Sequence, residues 1–504
     1  MDTSLNRTDR FLITVCVTLA SFLQALDTTI ANIALPHIGG TIAATPEQIS
    51  WVLTSYIVAA AITIPLTGWL ADRYGRKQVL LFSVVGFTLT SALCGMAQSL
   101  FQIVLFRMLQ GVCGAALMPQ SQAVLLDINP PERHGRAMAT SGIAVLVGPI
   151  IGPLLGAWLT DNYSWRWVFY INVPVGIVCA LGISSFMPRT QTHRSTFDFL
   201  GFAALSIALG ALQLLLDRGQ LHDWFDSGEI RLEAAAGVLA LYVFLVHSLT
   251  TASPFVSLKL FTDRNFATGS LTVFVIGVVL FATLVLLPPF LQNIMRYPVS
   301  TAGVVMAPRG VGTLLSMLIV GRLMTALDPR LIIVAGLALT AASLWVMSSF
   351  SPLMDERLII WSGFTQGVGA GMAWVPLSAV AFATLATRLR SMGTSIFNLL
   401  RNIGSSIGIS IVTALLARNA QIMHSRLVEH IMPYGMQGPP SAPYSFTDPH
   451  GIAALDAAVA RQAEMIAYNN DFKLMLILTL AALPLPLLLK PRAAPRREPV
   501  VAFE

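Results

Sequence analysis

An all-α protein embedded in a bilayer is the fold class this sequence predicts, and three observations predict it. Of 504 residues, 55% are hydrophobic and only 11% are charged, far from the balance of a water-soluble domain. The apolar residues arrive in blocks of about 18 to 25, the length a helix needs to cross a hydrocarbon core. Lys and Arg collect in alternate intervals between the blocks, as they do in cytoplasmic loops. Soluble globular, disordered, collagenous and nucleic-acid-binding chains are excluded on the same grounds.

In chain order the blocks predict about fourteen spans. The first seven are Phe11 to Leu35, Ile49 to Ala71, Val79 to Met96, Phe101 to Leu126, Ala137 to Leu159, Trp165 to Met187 and Phe199 to Leu216. The rest are Leu232 to Thr250, Phe266 to Leu291, Ala302 to Val320, Leu331 to Phe350, Leu358 to Ala381, Thr394 to Leu416 and Leu474 to Leu489. The first block carries Asp27 and has no small-residue cleavage site, so it reads as a retained span and not a signal peptide. An even count places both termini on one side. That side then holds Arg7, Arg10, Arg73, Arg76, Lys77, Arg133, Arg136, Arg189, Arg194, Lys259, Arg264, Arg322, Arg330, Arg388 and Arg390, with Lys490, Arg492, Arg496 and Arg497 in the tail. Both termini are therefore expected in the cytoplasm. Cys16, Cys94, Cys113 and Cys179 all lie in apolar blocks, which suggests neither disulfides nor a metal site.

Gln110-Gly111-Val112 in span four is echoed by Gln366-Gly367-Val368 in span twelve. Duplicated bundles that rock about a midplane site are the architecture of secondary transporters. The expected organisation is a six-helix bundle over 1–189, an inserted helix pair over 190–255, a second six-helix bundle over 256–489 and a cytoplasmic tail over 490–504. Thr190 to Ser195 reads as a cytoplasmic linker and Asp217 to Arg231 as an external loop. A long external loop is expected over 417–473, with Pro439, Pro440 and Pro443. Helical apolar spacing from Ile452 to Tyr468 marks an amphipathic helix in it, either a docking surface for an adaptor or a solvated cap.

Five ordered segments carry a family resemblance. They are Leu26-Asp27-Thr28-Thr29-Ile30-Ala31-Asn32, Gly68-Trp69-Leu70-Ala71-Asp72-Arg73-Tyr74-Gly75-Arg76-Lys77, Arg107 with Gln110 and Gly111, Gly148-Pro149-Ile150-Ile151-Gly152-Pro153 with Gly156, and Trp165-Arg166-Trp167-Val168-Phe169-Tyr170-Ile171-Asn172-Val173-Pro174. Together they resemble the major facilitator superfamily, in particular its fourteen-helix drug:proton antiporters of the EmrB/QacA group. Leu216-Asp217-Arg218-Gly219-Gln220 is more similar to the EmrB branch. Ala157 departs from a pattern that often has a second glycine there. The resemblance implies a bacterial inner-membrane, proton-driven exporter of hydrophobic small molecules that works with a periplasmic adaptor and an outer-membrane channel.

Asp27 is the one carboxylate deep in the N-terminal spans, where a charged Asp costs about 2.5 to 3.5 kcal/mol on insertion scales. It reads as a proton-exchanging group or, alternatively, as a hydrogen-bonding group that orders Thr28 or Asn32. Arg107 lies at a depth within about 5 Å of it, and the resemblance makes Arg107 the residue that tunes and senses its protonation; a purely structural pair is the alternative. The resemblance likewise assigns a gating latch to Gly68, Asp72, Arg73, Gly75 and Arg76, and a close-packed antiporter helix to Gly148, Pro149, Gly152, Pro153 and Gly156. Gln110, Arg309, Gln366, Asn398 and Arg401 are candidates to line the substrate cavity. Arg309 and Arg401 cannot exchange protons and suit anions or carbonyl oxygens, which points to neutral or weakly acidic substrates. No cofactor is expected, because no nucleotide-binding signature occurs and the proton gradient would supply the energy. The eight histidines do not cluster, and neither HExxH nor GxSxG occurs, which disfavours an intramembrane enzyme. An exporter of one metabolite or siderophore remains the other reading.

Overall fold

The computed structural model describes residues 6–130, 133–188, 192, 196–324, 326–386, 389–430 and 449–490. Arg189, Arg194, Arg388, the cations beyond Lys490 and Pro439, Pro440 and Pro443 lie outside the described residues, as do the side chains of Pro149 and Pro153. The described elements are helical: α1 Arg7–Ile42, α2 Pro46–Tyr74, α3 Arg76–Met96, α4 Leu100–Gly114, α5 Leu117–Ile128, α6 His134–Asn162, α7 Trp167–Tyr170 and α8 Asn172–Phe186. They continue as α9 Phe199–Arg218, α10 Gly228–Thr250, α11 Arg264–Pro289 with a π-helical turn Phe290–Ile294, α12 Val299–Leu323, α13 Pro329–Met347, α14 Glu356–Ala381, α15 Arg390–Glu429 and α16 Pro449–Ala482. Twelve helical stretches among the described residues are long and apolar enough to cross a membrane. Helices α6 and α14 cover expected spans five and twelve.

Local chemistry sets several helix starts. Thr45 and Gln48 form a capping box at α2, and Ser99, Asp198, Asp263, Asp328 and Asp355 each accept a backbone N–H at the start of α4, α9, α11, α13 and α14, satisfying donors that helix ends leave unpaired. Asp198 also accepts from Phe255 N and lies 2.8 Å from His247 Nε2. Burial alone would raise its pKa, but these bonds together with that from Gly201 outweigh it and hold the group below its ordinary value.

Two expectations change. Span four is not one helix, because the chain turns at Ala115 and Ala116 between α4 and α5. The expected external loop over 417–473 is largely helix among its described residues: α15 runs on to Glu429, and α16 starts at Pro449 and carries Ile452 to Tyr468 without a break into the apolar block. The two extensions pack together, with His424 Nε2 3.0 Å from Asp456 Oδ1.

Helices α1 to α8 pack mainly among themselves, and so do α11 to α16. The sequence echo has a structural counterpart. A Cβ on Gly111 would sit 2.4 Å from the Tyr56 carbonyl oxygen on α2, and one on Gly367 would sit 1.9 Å from the Arg309 carbonyl oxygen on α12. Each glycine thus lets the helix of its half lie directly on the neighbouring backbone. Helices α9 and α10 pack on one another, and α9 bridges both sets: Thr54 of α2 bonds Asp217, Ser406 of α15 donates to Gln213 at 3.1 Å, and Ser410 donates to the Leu216 carbonyl at 2.9 Å.

The two sets meet through α2 with α15, α5 with α15, and α6 with α12 and α14. Each hydrogen bond or ion pair described between them lies toward the cation-rich face. Thr67 Oγ1 is 2.9 Å from Ser395 Oγ, Arg76 Nε donates to Ser391 at 2.7 Å, Asn398 donates to Gln122 at 2.8 Å, and Arg390 is 3.3 Å from Asp127. A Cβ on Gly68 would lie 2.9 Å from Met392 Cα. Gly68→Leu is therefore expected to wedge α2 from α15 and lengthen spin-label distances across the cation-rich face; an unchanged distribution would show that this seam does not depend on the contact.

Candidate functional site

Helix α6 presses on α1 through its small residues. Cβ atoms on Gly148, Gly152 and Gly156 would meet Ala25 C at 2.7 Å, Thr29 Oγ1 at 2.3 Å and Ile30 Cγ1 at 3.0 Å. The expected antiporter helix thus packs on the turn of α1 that carries Asp27 and fixes where that carboxylate stands.

Asp27 and Arg107 meet, as their expected depths allow. Arg107 Nη1 lies 2.6 Å from Asp27 Oδ2, and both side chains are 0% exposed. The other carboxylate oxygen accepts from Gln110 Nε2 at 2.9 Å and Asn172 Nδ2 at 3.0 Å. Arg107 also donates to Gln110 Oε1 at 2.8 Å and to the Val52 carbonyl at 3.2 Å, while its guanidinium stands 4.4 Å from the Tyr56 ring centroid and 5.7 Å from that of Phe169. Asn172 bonds Ser91, which donates to the Phe169 carbonyl. Helices α1, α2, α3, α4 and α8 thus converge on one ion pair. Its cost in a low-dielectric interior is offset only while both partners stay paired and hydrogen-bonded.

This geometry moves Gln110 from the cavity wall, where the sequence suggested it, into the ion-pair network: it is fully buried and bonded to both charges. Asn172 and Tyr56 join the site without having been assigned to it. Asn172 lay inside the span-six segment that carries the family resemblance, but it was given no role there.

The latch residues divide. Gly75 takes φ 89°, the conformation that turns α2 into α3 and that glycine adopts without strain. Arg73 stands over Trp69 and Tyr74. Arg76 is buried and ion-paired with Asp127 of α5, a partner the sequence did not reveal, and Asp127 also pairs with Arg390 from the other half. Asp72 acts on Arg76 electrostatically.

In the second half, Arg309 Nη2 donates to the Leu280 carbonyl and to Thr283 Oγ1, each at 3.1 Å, and Gln366 Nε2 donates to the same hydroxyl at 3.3 Å. Arg401 bonds Asn402 and stands 5.5 Å from the Trp374 ring centroid. Neither arginine has a carboxylate partner among the described residues, and Arg309 Nη1 and Arg401 Nε and Nη1 have no hydrogen-bond partner. Asn398 lies on the seam between the halves, bonded to Gln122. The second half also buries a carboxylate in the same bundle as these arginines. Asp471, placed by the sequence in the external loop, is fully buried in α16.

A family model described as Major Facilitator Superfamily matches residues 17–417. The chain belongs to the major facilitator superfamily. It is a secondary transporter and not an enzyme. Relatives include the fatty acid resistance protein FarB of Neisseria gonorrhoeae, 35% identical over 485 residues that make up 95% of this chain and 96% of that protein. The multidrug export protein EmrB of Escherichia coli K12 is 36% identical over 470 residues, 92% of this chain and 91% of that one. Among solved structures, the proton:xylose symporter XylE superposes with a TM-score of 0.62 at 14% identity, covering 94% of this chain and 96% of that one. The human organic anion transporter MFSD10 gives 0.60 at 14% identity, covering 93% and 99%. These two show the major facilitator fold.

Because Arg107 is as buried as Asp27, Asp27→Asn is expected to leave an uncompensated cation and to cost about 3 to 5 kcal/mol of stability. Asp27→Asn combined with Arg107→Gln should recover most of that loss. Thermal melts of the three proteins check this, and a single variant as stable as wild type would contradict the ion-pair description.

Proposed function

We propose that this transporter exports hydrophobic small molecules across the bacterial inner membrane in exchange for protons, with Asp27 as the proton-coupling group and Arg107 as its sensor. The observation that carries the reading is the sealed Asp27–Arg107 pair, whose only balanced alternatives are paired ions or joint rearrangement. All fourteen expected spans cross the membrane and both termini are cytoplasmic in this reading, so the sealed cation-rich face is the inner one and the described conformation is outward-facing.

A proton reaching Asp27 removes the countercharge of Arg107. The guanidinium must then seek another acceptor, and Gln110, Asn172 and the Val52 carbonyl move with it because they share the network. These groups lie on α2, α4 and α8, so protonation is transmitted to several helices that line the N-terminal half. At the inner face the same motion has to break the Arg76–Asp127–Arg390 cluster and the Gly68–Met392 contact, which act as the latch. The proton gradient supplies the energy, without a cofactor.

Substrate preference follows from the second half. Arg309 and Arg401 stand near Thr283, Gln366 and Trp374 without carboxylate partners, a setting that favours neutral and weakly acidic amphiphiles over quaternary cations. The name of a relative matching 95% of the chain, a fatty acid resistance protein, supports an acidic amphiphile as one substrate class. Export through a periplasmic adaptor and outer-membrane channel completes the proposal, with the external extensions of α15 and α16 as the surface an adaptor would meet.

In everted vesicles, an acid interior is expected to drive uptake of a fluorescent fatty acid; efflux from the vesicles under that gradient would identify an importer instead. Arg309→Ala is expected to weaken the apparent affinity for the fatty acid about tenfold, the value of one charge-assisted hydrogen bond, with little change for a neutral aromatic substrate. Equal losses for both, or none, would remove Arg309 from the substrate path.

A further inference from the structure

Among the described residues, Asp471 is the one fully buried carboxylate that the proposed cycle leaves unused. It is 0% exposed, and neither of its oxygens has a hydrogen-bond partner among those residues. Around it α16 contributes Tyr468, Phe472 and Met475 to an apolar cluster with Phe290 of the π-helical turn, Phe350 after α13 and Val412 of α15. Tyr468 and Phe472 make ring contacts with Phe290, and Phe472 with Phe350.

The ionisable groups nearby do not supply a countercharge. On α16 itself Tyr468 is the close one, while Arg461, Glu464 and Lys473 are exposed. The packed elements carry Arg401, Arg418, His424, Arg426, Glu429 and His430 on or at the end of α15, with Arg390 at its far end, Arg296 after the π-helical turn, and Asp355 and Glu356 after α13; α11 itself has Arg264 at its far end and α13 has Arg330 at its far end. None forms an ion pair with Asp471 among the described residues; His424 is engaged with Asp456. An isolated carboxylate ion in such surroundings is so unfavourable that the neutral acid takes its place. Even the neutral acid gains nothing from this packing, since its hydroxyl and carbonyl stay unpaired, and an apolar side chain would fit the cluster better. The carboxyl therefore serves a state of the molecule other than the one described.

We propose that Asp471 is a second proton-binding site of the transport cycle, loaded from the external side in this conformation and emptied when the halves rock. Its position favours external loading: it lies three residues before Leu474, the outer edge of the expected last span, or about 5 Å along the helix, while the seam between the halves is closed toward the opposite face. The step is the addition of one proton to one carboxylate oxygen and its later release, with no other reactant. The proposal rests on the proton-driven reading above but concerns a different bundle from Asp27.

The full chain in lipid nanodiscs tests it by infrared spectroscopy. In Asp27→Asn combined with Arg107→Gln, a protonated-carboxyl C=O band is expected that declines as the pH is raised and is lost when Asp471→Asn is added. A band unchanged by Asp471→Asn, or one that persists at every pH at which transport runs, would overturn the proposal. Should Asp471→Asn fail to fold, dicyclohexylcarbodiimide applied to wild type is expected to modify Asp471 at acid pH and to lose that reaction at alkaline pH, as read by mass spectrometry of the α16 peptide; no modification at any pH would overturn it too. These readouts need no transported substrate. Failure of export in everted vesicles with a titrating Asp471 would therefore count against the efflux reading alone, and robust export without a titrating Asp471 against this site alone.

Discussion

A paired charge held out of water inside a membrane protein constrains everything around it, and the Asp27–Arg107 pair does so here. Neither partner can be removed, exposed or neutralised singly without leaving the other uncompensated. The surrounding architecture can be derived from that requirement. Gln110 and Asn172 complete the carboxylate's hydrogen bonds, Val52 and the faces of Tyr56 and Phe169 hold the guanidinium, and the glycines of α6 bring backbone against backbone behind Asp27. Five helices must keep register for the site to exist at all. In the proposed cycle, protonating one oxygen of Asp27 disturbs the same five, and a local chemical event acquires global reach.

The halves are related in backbone but not in charge. Gly111 and Gly367 make equivalent close approaches, yet Gln110 serves an ion pair whereas Gln366 shares a hydroxyl with an arginine that lacks one. Duplication kept the packing that a helix contact enforces and let the polar chemistry diverge. The first half thus pairs its buried Asp27 with Arg107, whereas Arg309 and Arg401 of the second half have no carboxylate partner among the described residues. The inserted pair touches both through α9, so it must follow, or hinder, any change in their separation.

Much of this was legible in the sequence, because hydropathy and cation placement report a helix crossing lipid directly. The break between α4 and α5 was missed because the apolar run continues through it, although Gly114 and Pro119 flank the turn and Pro119 has no N–H to donate to the Ala115 carbonyl. The amphipathic helix expected over Ile452 to Tyr468 is there, but its continuity with the last span was not legible because Asp456, Arg461 and Glu464 depress the hydropathy, although helicity there rests on packing against α15 and needs no lipid. Depth along α1 and α4 was enough to foresee Asp27 meeting Arg107, whereas the direction in which Gln110 points depends on its neighbours and could not be read from spacing. Asp127 looked like an ordinary carboxylate at a span's end; only the folded chain brings Arg76 and Arg390 to it. Asp471 was hidden for the same reason as α16: beside Asn469, Asn470 and Lys473 it reads as a solvated residue.

The central claim is that Asp27 takes up and releases a proton as substrate binding and helix movement alternate. The direct measurement is proton release on adding a neutral, non-titrating transported amphiphile to purified protein in weakly buffered detergent, followed with a pH indicator. Wild type is expected to release protons on binding, and Asp27→Asn combined with Arg107→Gln to release fewer while still binding the amphiphile. Equal proton release from the two proteins would contradict the account and leave the buried ion pair a structural element only.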